Sequence, residues 1–86
     1  MGSCAKQVFS DISPAKFICI CQQITAKYGV TLSGDNGQET KSGFTIAWNF
    51  DRTTGEFDVQ CLDSPIFVSC GVIDQAIHDV VDGCPS

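Results

Sequence analysis

The stretch GFTIAWNFDRTTGEFDVQCL, residues 43–62, decides the fold that this sequence predicts. Large apolar residues at 44, 46, 48 and 50 alternate with small or polar ones, and the alternation returns at 57, 59 and 61. A period of two places all of the large side chains on one face of a strand. The DRTTG between the two runs has the composition of a turn. The stretch therefore predicts an antiparallel hairpin with one apolar and one polar face, and it predicts that Trp48 is a core residue.

A helix is predicted before this hairpin, over 14–28. Ser13 is a typical N-cap, and Pro14 suits the first helical position because its missing N–H has no helical partner there. Gly29 is a typical end signal. Apolar residues recur at helical spacing along the segment: Phe17, Cys21, Ile24 and Tyr28.

The residues between this helix and the hairpin give a weaker pattern. Val30 and Leu32 alternate with polar residues, which predicts a short strand. Asn36–Gly37 is the sequence of a type I′ turn. Residues 38–42 are then predicted to be a weak return strand or an open loop.

A second helix is predicted after Pro65, with Ser69 as its N-cap and Gly83 at its end. Its apolar stripe comprises Val72, Ile73, Ala76, Ile77, Val80 and Val81. The chain as a whole is predicted to be one small α+β domain of two layers. An N-terminal helix, a three- or four-stranded antiparallel meander and a C-terminal helix follow one another, and both helices cover the apolar face. Residues 1–11 and 83–86 are expected to be flexible tails.

Composition narrows the range of partners. The net charge is −5, and the five basic residues are scattered along the chain, so neither a nucleic acid nor an anionic membrane surface is an expected partner. The N-terminal residues contain no apolar run typical of an export signal, and no segment is apolar enough to cross a bilayer. These features predict a cytoplasmic protein in which all six cysteines are free thiols.

The cysteines are the main candidates for chemistry. Cys19 and Cys21 would point about 200° apart on a helix, so they cannot share a metal ion. Cys21 and Cys61 lie on the predicted apolar faces and are interpreted as small core side chains. No metal or other cofactor is predicted.

Cys70 is the best thiol candidate because it falls near the start of the second helix, where the helix dipole favours a thiolate. The single histidine, His78, is eight residues later, about 12 Å along the helix, so the two cannot form a catalytic pair. Cys4 and Cys84 would pair or share a metal ion if the two ends of the chain meet. Otherwise they are two free tail thiols, which is the interpretation preferred here.

The passage DSPIFVSCGVIDQAI, residues 63–77, resembles the end of small bacterial proteins of unknown function. In those proteins a KPFFVS-like segment follows a β-meander and leads into a terminal helix. Ser64 and Ile66 stand here where that segment has a basic and an aromatic residue. The resemblance implies a bacterial cytoplasmic protein and carries over no catalytic residue.

The function predicted from these patterns is a non-catalytic binding or protein-interaction module. The alternative is a thiol-dependent redox or metal-handling protein that uses Cys70, or Cys4 with Cys84. A third possibility is a small apolar ligand held between the helices and the sheet by Phe17, Tyr28, Trp48 and Phe57.

A homodimer is also expected, because a small sheet has open edges and a small core has little stability in reserve. Ile66 and Phe67 lie outside both apolar stripes and are the candidate interface residues.

Overall fold

The computed structural model describes residues 3–85. Its elements are β1 (Gln7–Phe9), α1 (Pro14–Tyr28), β2 (Asn36–Lys41), β3 (Phe44–Asp51), β4 (Glu56–Asp63) and α2 (Cys70–Asp82). The strands form one antiparallel sheet in the order β1-β4-β3-β2. The predicted α+β class with an antiparallel sheet and two helices is therefore confirmed. The element order differs slightly, because a short strand precedes the first helix.

The central strands form the antiparallel hairpin that the alternating sequence predicts, with a register shift between Thr45 and Ile46. Phe50 lies opposite Phe57, and the pair closes the end of the hairpin beside the 52–55 turn. Asp51 stabilises that turn by accepting hydrogen bonds from the backbone N–H groups of Thr53 and Thr54, at 2.9 and 3.3 Å. Trp48 is only 3% exposed, so its predicted place in the core is confirmed.

The helices begin at the predicted caps. The Ser13 hydroxyl accepts a hydrogen bond from the backbone N–H of Lys16 at 3.1 Å, and α1 ends at Gly29. The Ser69 hydroxyl accepts one from the backbone N–H of Val72 at 3.3 Å. Both helices bury residues in the cluster that holds the alternating side chains of β3 and β4, so both lie on that face of the sheet. From the helices the cluster includes Phe17, Ile20, Val80 and Val81.

The predicted turn at Asn36–Gly37 is wrong. These two residues begin β2, and the turn lies at Ser42 and Gly43, which have φ angles of 55° and 86°. Two successive positive φ angles define the type I′ turn that joins tightly paired strands. Glycine is required at 37 for another reason: a Cβ there would meet the indole ring of Trp48 at 3.0 Å.

The two segments predicted to be tails and the short strand predicted at Val30 and Leu32 have other conformations in the structure. β1 lies within the predicted tail 1–11 and pairs with β4, and Phe9 stacks on Phe57 with ring centroids 6.2 Å apart. Cys84, in the predicted tail 83–86, is buried. Val30 and Leu32 are buried too, but they lie outside any strand. Residues 1, 2 and 86 of the two predicted tails lie outside the described residues.

The prediction of six free thiols is wrong for four of them. Cys4 is bonded to Cys70 and Cys19 to Cys84, with Cα–Cα distances of 5.4 and 5.9 Å. Both distances suit a disulfide. The prediction rested on the absence of an export signal and on the helical spacing of Cys19 and Cys21, whereas the fold brings these four residues together in pairs. Cys21 and Cys61 remain free.

Candidate functional site

An apolar cleft of about 250 Å³ lies between α1, α2 and the sheet, and it is called here the interhelical cleft. From α1 it is lined by Ile20, Ile24 and Tyr28, and from α2 by Val72, Ile73, Ala76, Ile77, Val80 and Val81. Its floor is formed by Phe44, Ile46, Phe57 and Val59 of the two central strands. Val30, Lys41, Ser42 and Val68 complete its lining.

The two helices are joined near one end of the cleft and line its remaining length separately. The Cys19–Cys84 disulfide links the first half of α1 to the end of α2. Farther along, the cleft is lined by the C-terminal half of α1 and by the N-terminal half of α2. Phe57 at the floor is fully buried, whereas Tyr28 and Val72 are 50% and 64% exposed. The cleft therefore runs from the core to the surface.

Lys41 is the one charged residue among the described residues that line the cleft. It is the last residue of β2 and pairs with Phe44 of β3, next to the Ser42–Gly43 turn. Its Cε and Nζ pass over Gly29, 3.6 and 3.8 Å from where a Cβ would lie on that residue. Lys41 thus extends from the sheet to the C-terminal end of α1.

Three of the candidate thiols, Cys4, Cys70 and Cys84, are in disulfide bonds. Cys70 is bonded to Cys4, so it has no free thiol at the start of α2. Cys4 and Cys84 do not pair with each other, because each is bonded to a different partner. Residues 3–85 contain no group of three or more His, Cys, Asp or Glu side chains that could hold a metal ion. Cys70, Cys4 and Cys84 therefore offer no free thiol in this structure.

The two remaining thiols lie in surroundings that disfavour the thiolate. Burial raises the pKa of Cys21, and the negative charge of Asp35 raises it further. Burial likewise raises the pKa of Cys61, whose Sγ donates a hydrogen bond to the backbone carbonyl of Asp63 at 3.1 Å. A thiol with a raised pKa is a weak nucleophile at neutral pH. Both residues therefore have the properties expected of structural cysteines.

His78 lies outside the cleft and contacts the edge strand β1. Its Nε2 is 3.0 Å from Oε1 of Gln7, and its ring meets the Phe9 ring edge-on at 5.0 Å between centroids. His78 therefore links α2 to β1.

The four residues predicted to hold an apolar ligand do not all line the interhelical cleft. Tyr28 and Phe57 line the cleft, whereas Phe17 and Trp48 do not. Phe17 stacks on Phe50 elsewhere in the core, with ring centroids 4.4 Å apart. Sequence reasoning missed Lys41, because the segment that contains it gave no alternating pattern to assign it to a face. The wall formed by α2 could have been found from the sequence, because the apolar stripe of this helix supplies its lining residues.

Ile66 and Phe67 lie on the surface between β4 and α2, and each is 86% exposed. The turn that carries them is closed by a hydrogen bond from the backbone N–H of Val68 to the carbonyl of Pro65, at 3.0 Å. Val68 itself lines the cleft. Ile66 and Phe67 are therefore close in sequence to a residue that lines the cleft.

Comparison of the chain with protein-family models, with curated proteins and with solved structures finds no significant match. The resemblance of residues 63–77 to small bacterial proteins therefore stays a prediction. Within the part of the chain that the structure describes, neither helix has the length and apolar character needed to cross a membrane.

Proposed function

We propose that this protein is a small non-catalytic binding module whose ligand is an apolar molecule held in the interhelical cleft. The observation that carries the proposal is the cleft itself, a space of about 250 Å³ that is walled by aliphatic and aromatic side chains and reaches the surface. Ligand sites in proteins are typically concave and mostly apolar, with a few polar groups that orient the ligand. The interhelical cleft has this composition.

The energetic cost of leaving such a space empty supports the proposal. A closed, empty apolar cavity destabilises a protein by about 24 cal/mol per Å³, so 250 Å³ would cost on the order of 6 kcal/mol. The cost is smaller here because the cleft is open to water at its mouth. An apolar occupant would recover part of this free energy.

The volume sets the size of the ligand. An apolar protein cavity of about 150 Å³ accommodates benzene. Scaled to 250 Å³, the cleft accommodates roughly ten carbon atoms. A ten-carbon chain or a fused two-ring compound fits this volume.

Binding of 1-decanol, a neutral ten-carbon probe, tests the proposal by calorimetry and by thermal unfolding. A ligand present at a hundredfold excess over its Kd stabilises the folded state by about 2.7 kcal/mol, and the melting temperature should rise accordingly. Ala76→Phe would fill the cleft from α2 and should abolish binding. Ala26→Phe is the matched control, because Ala26 is exposed on α1 and does not line the cleft. Equal responses of the wild-type protein and Ala76→Phe would contradict the proposal.

An oxidising compartment is proposed for this module in place of the cytoplasm that the N-terminal sequence predicts. Two disulfides support this, because glutathione and thioredoxin keep most cytoplasmic thiols reduced. Small extracellular domains also use disulfides to supplement a small core.

A homodimer is also proposed, with Ile66 and Phe67 in its interface. Two adjacent large apolar side chains, each 86% exposed, support this, because such patches commonly mark interaction sites. The outer edge of β2 is a second free surface, since β2 pairs with β3 on one side and lies at the end of the sheet. The module would therefore bind its ligand as a twofold pair of subunits.

A further inference from the structure

We infer that the ligand of the interhelical cleft is a single-chain amphiphile with an anionic head group, whose head pairs with Lys41 while its tail lies between the helices. The inference rests on the proposed function, since it requires that the cleft binds a ligand at all. It goes further in that it assigns the chemical class of the ligand and the residue that recognises it.

The sign of the charge at the cleft is the first argument. The protein has a net charge of −5 and only five basic residues, yet the single charge among the described lining residues is the positive one of Lys41. No described lining residue is acidic. An anionic head at the mouth would thus meet an ammonium group and no carboxylate of the lining.

The second argument is that Lys41 forms no ion pair with any other residue of the described range 3–85. The salt bridge found within residues 3–85 joins Arg52 to Asp35. Lys41 is exposed, and its stem lies over Gly29 at the C-terminal end of α1. The negative end of the helix dipole favours a cation there. The helix end therefore holds the ammonium group near the cleft and leaves its charge available to a ligand.

The other two polar residues of the cleft lining can donate hydrogen bonds to a head group that is rich in acceptor atoms. Ser42 follows Lys41 in the turn, and its hydroxyl can donate a hydrogen bond. The Tyr28 hydroxyl can do the same from α1. Carboxylate oxygens accept hydrogen bonds from such donors. The tail would then occupy the apolar remainder of the cleft, which has room for roughly ten carbons.

The test compares three probes of equal chain length: decanoate, 1-decanol and decylamine. Calorimetry on the disulfide-bonded protein at low ionic strength should give a Kd for decanoate about fivefold below that for 1-decanol, the effect of an exposed ion pair worth about 1 kcal/mol. Decylamine should bind more weakly than 1-decanol. Added salt should reduce the preference for decanoate, because it screens exposed charges.

Variants assign the preference to Lys41. Lys41→Gln should equalise decanoate and 1-decanol, and Lys41→Glu should favour decylamine. Lys27→Gln is the matched control, because it removes an exposed positive charge from α1 that does not line the cleft. This control should keep the preference for decanoate. Lys41→Gln and Lys27→Gln should each lower the melting temperature slightly, because both remove a cation from the C-terminal end of α1, where the helix dipole favours one.

The outcomes separate this inference from the proposed function. Equal affinity of the wild-type protein for decanoate and 1-decanol would overturn the role of Lys41 and leave the apolar site standing. A preference lost equally in Lys27→Gln and Lys41→Gln would also overturn it, because net charge would then explain the effect. Absence of binding by all three probes would refute the proposed function together with the inference.

Discussion

Gly37 has no side chain, and this leaves space for the indole ring of Trp48. They lie opposite each other on β2 and β3, on the face that carries the helices. The indole Nε1–H donates a hydrogen bond to the backbone carbonyl of Gly34 at 3.1 Å, which fixes the ring over β2. The burial of Trp48 was predictable from the period of two in its strand. The need for glycine opposite it was not, because it depends on which strand becomes the neighbour.

Gly37→Val should destabilise the protein by about 1 to 3 kcal/mol, the usual cost of overpacking. The new Cβ would lie 3.0 Å from Cζ2 of Trp48, and the ring cannot move away without losing its hydrogen bond. Gln38→Val is the matched control, since Gln38 is exposed on the other side of β2 and its replacement should change stability by about 0.5 kcal/mol or less. Urea unfolding measures both. Equal stability of the two variants would show that the ring adapts.

Cys21 and Cys61 should be alkylated slowly in the folded protein, because their raised pKa values disfavour the reactive thiolate. Alkylation of denatured protein without reductant should add two labels, and four more should appear only after reduction. Six labels without reductant would refute the two disulfides.

The raised pKa values of Cys21 and Cys61 also set a pH dependence of stability. A thiol whose pKa rises on folding contributes stability that is fully present below its unfolded pKa of about 8.5. That contribution is lost as the pH rises through the folded pKa. Unfolding midpoints measured from pH 7 to pH 10 should therefore fall in the alkaline part of the range. Replacing both cysteines with alanine should flatten the decline.

The elements differ in how well local sequence specified them. Both helices combine a serine cap with a repeated apolar stripe, and these signals were sufficient. β2 has no such signal, since all six of its residues are exposed and none is a large apolar residue. β1 has three residues, too few for alternation to be recognised. Edge strands of this kind are defined by their neighbours rather than by their own sequence.

The helix α2 is anchored by a disulfide at each end. Its first residue, Cys70, is bonded to Cys4, and Cys84, two residues past its end, is bonded to Cys19 of α1. The bonds span 66 and 65 residues. In the chain-entropy account, closing loops of this length contributes about 4 kcal/mol each. The position of α2 over the sheet, and with it one wall of the cleft, therefore depends on both bonds.

Replacing Cys19 and Cys84 together with alanine should lower the free energy of unfolding by about 2 to 5 kcal/mol. It should also weaken the binding of 1-decanol, because this disulfide is the covalent link between the two helical walls. Cys21→Ala in the same helix is the control and should cost about 1 kcal/mol, the central value for single substitutions. Full affinity in the double variant would show that packing alone holds the walls in place.

At the scale of the whole molecule, the layer architecture was predictable and the cleft was not. The order of periodic segments indicated a sheet covered by two helices. The cleft depends on how far Ile24 of α1 lies from Ala76 of α2, and no local pattern records that distance. Cysteine pairing is similar, because six cysteines allow many combinations and sequence spacing does not choose among them.

The proposed dimer predicts a mass of two chains by light scattering at micromolar concentration. Ile66→Ser with Phe67→Ser should give a monomer without loss of folding, since both side chains are 86% exposed. Val8→Ser is the matched control, because Val8 is a half-exposed apolar residue on β1, at the opposite end of the sheet from β2. A monomeric wild-type protein would contradict the dimer and the interface role of the two residues.

The two disulfides interleave along the chain, because the bond from 4 to 70 and the bond from 19 to 84 overlap. Hydrolysis of any one peptide bond between residues 19 and 70 leaves one piece with Cys4 and Cys19 and another with Cys70 and Cys84. Both bonds then join the two pieces. The exposed turn at Ile66 and Phe67, a natural target for proteases, lies within this doubly linked region. A protease that cuts there converts the protein into a two-chain molecule without releasing a fragment, and the cleft walls stay covalently attached to each other.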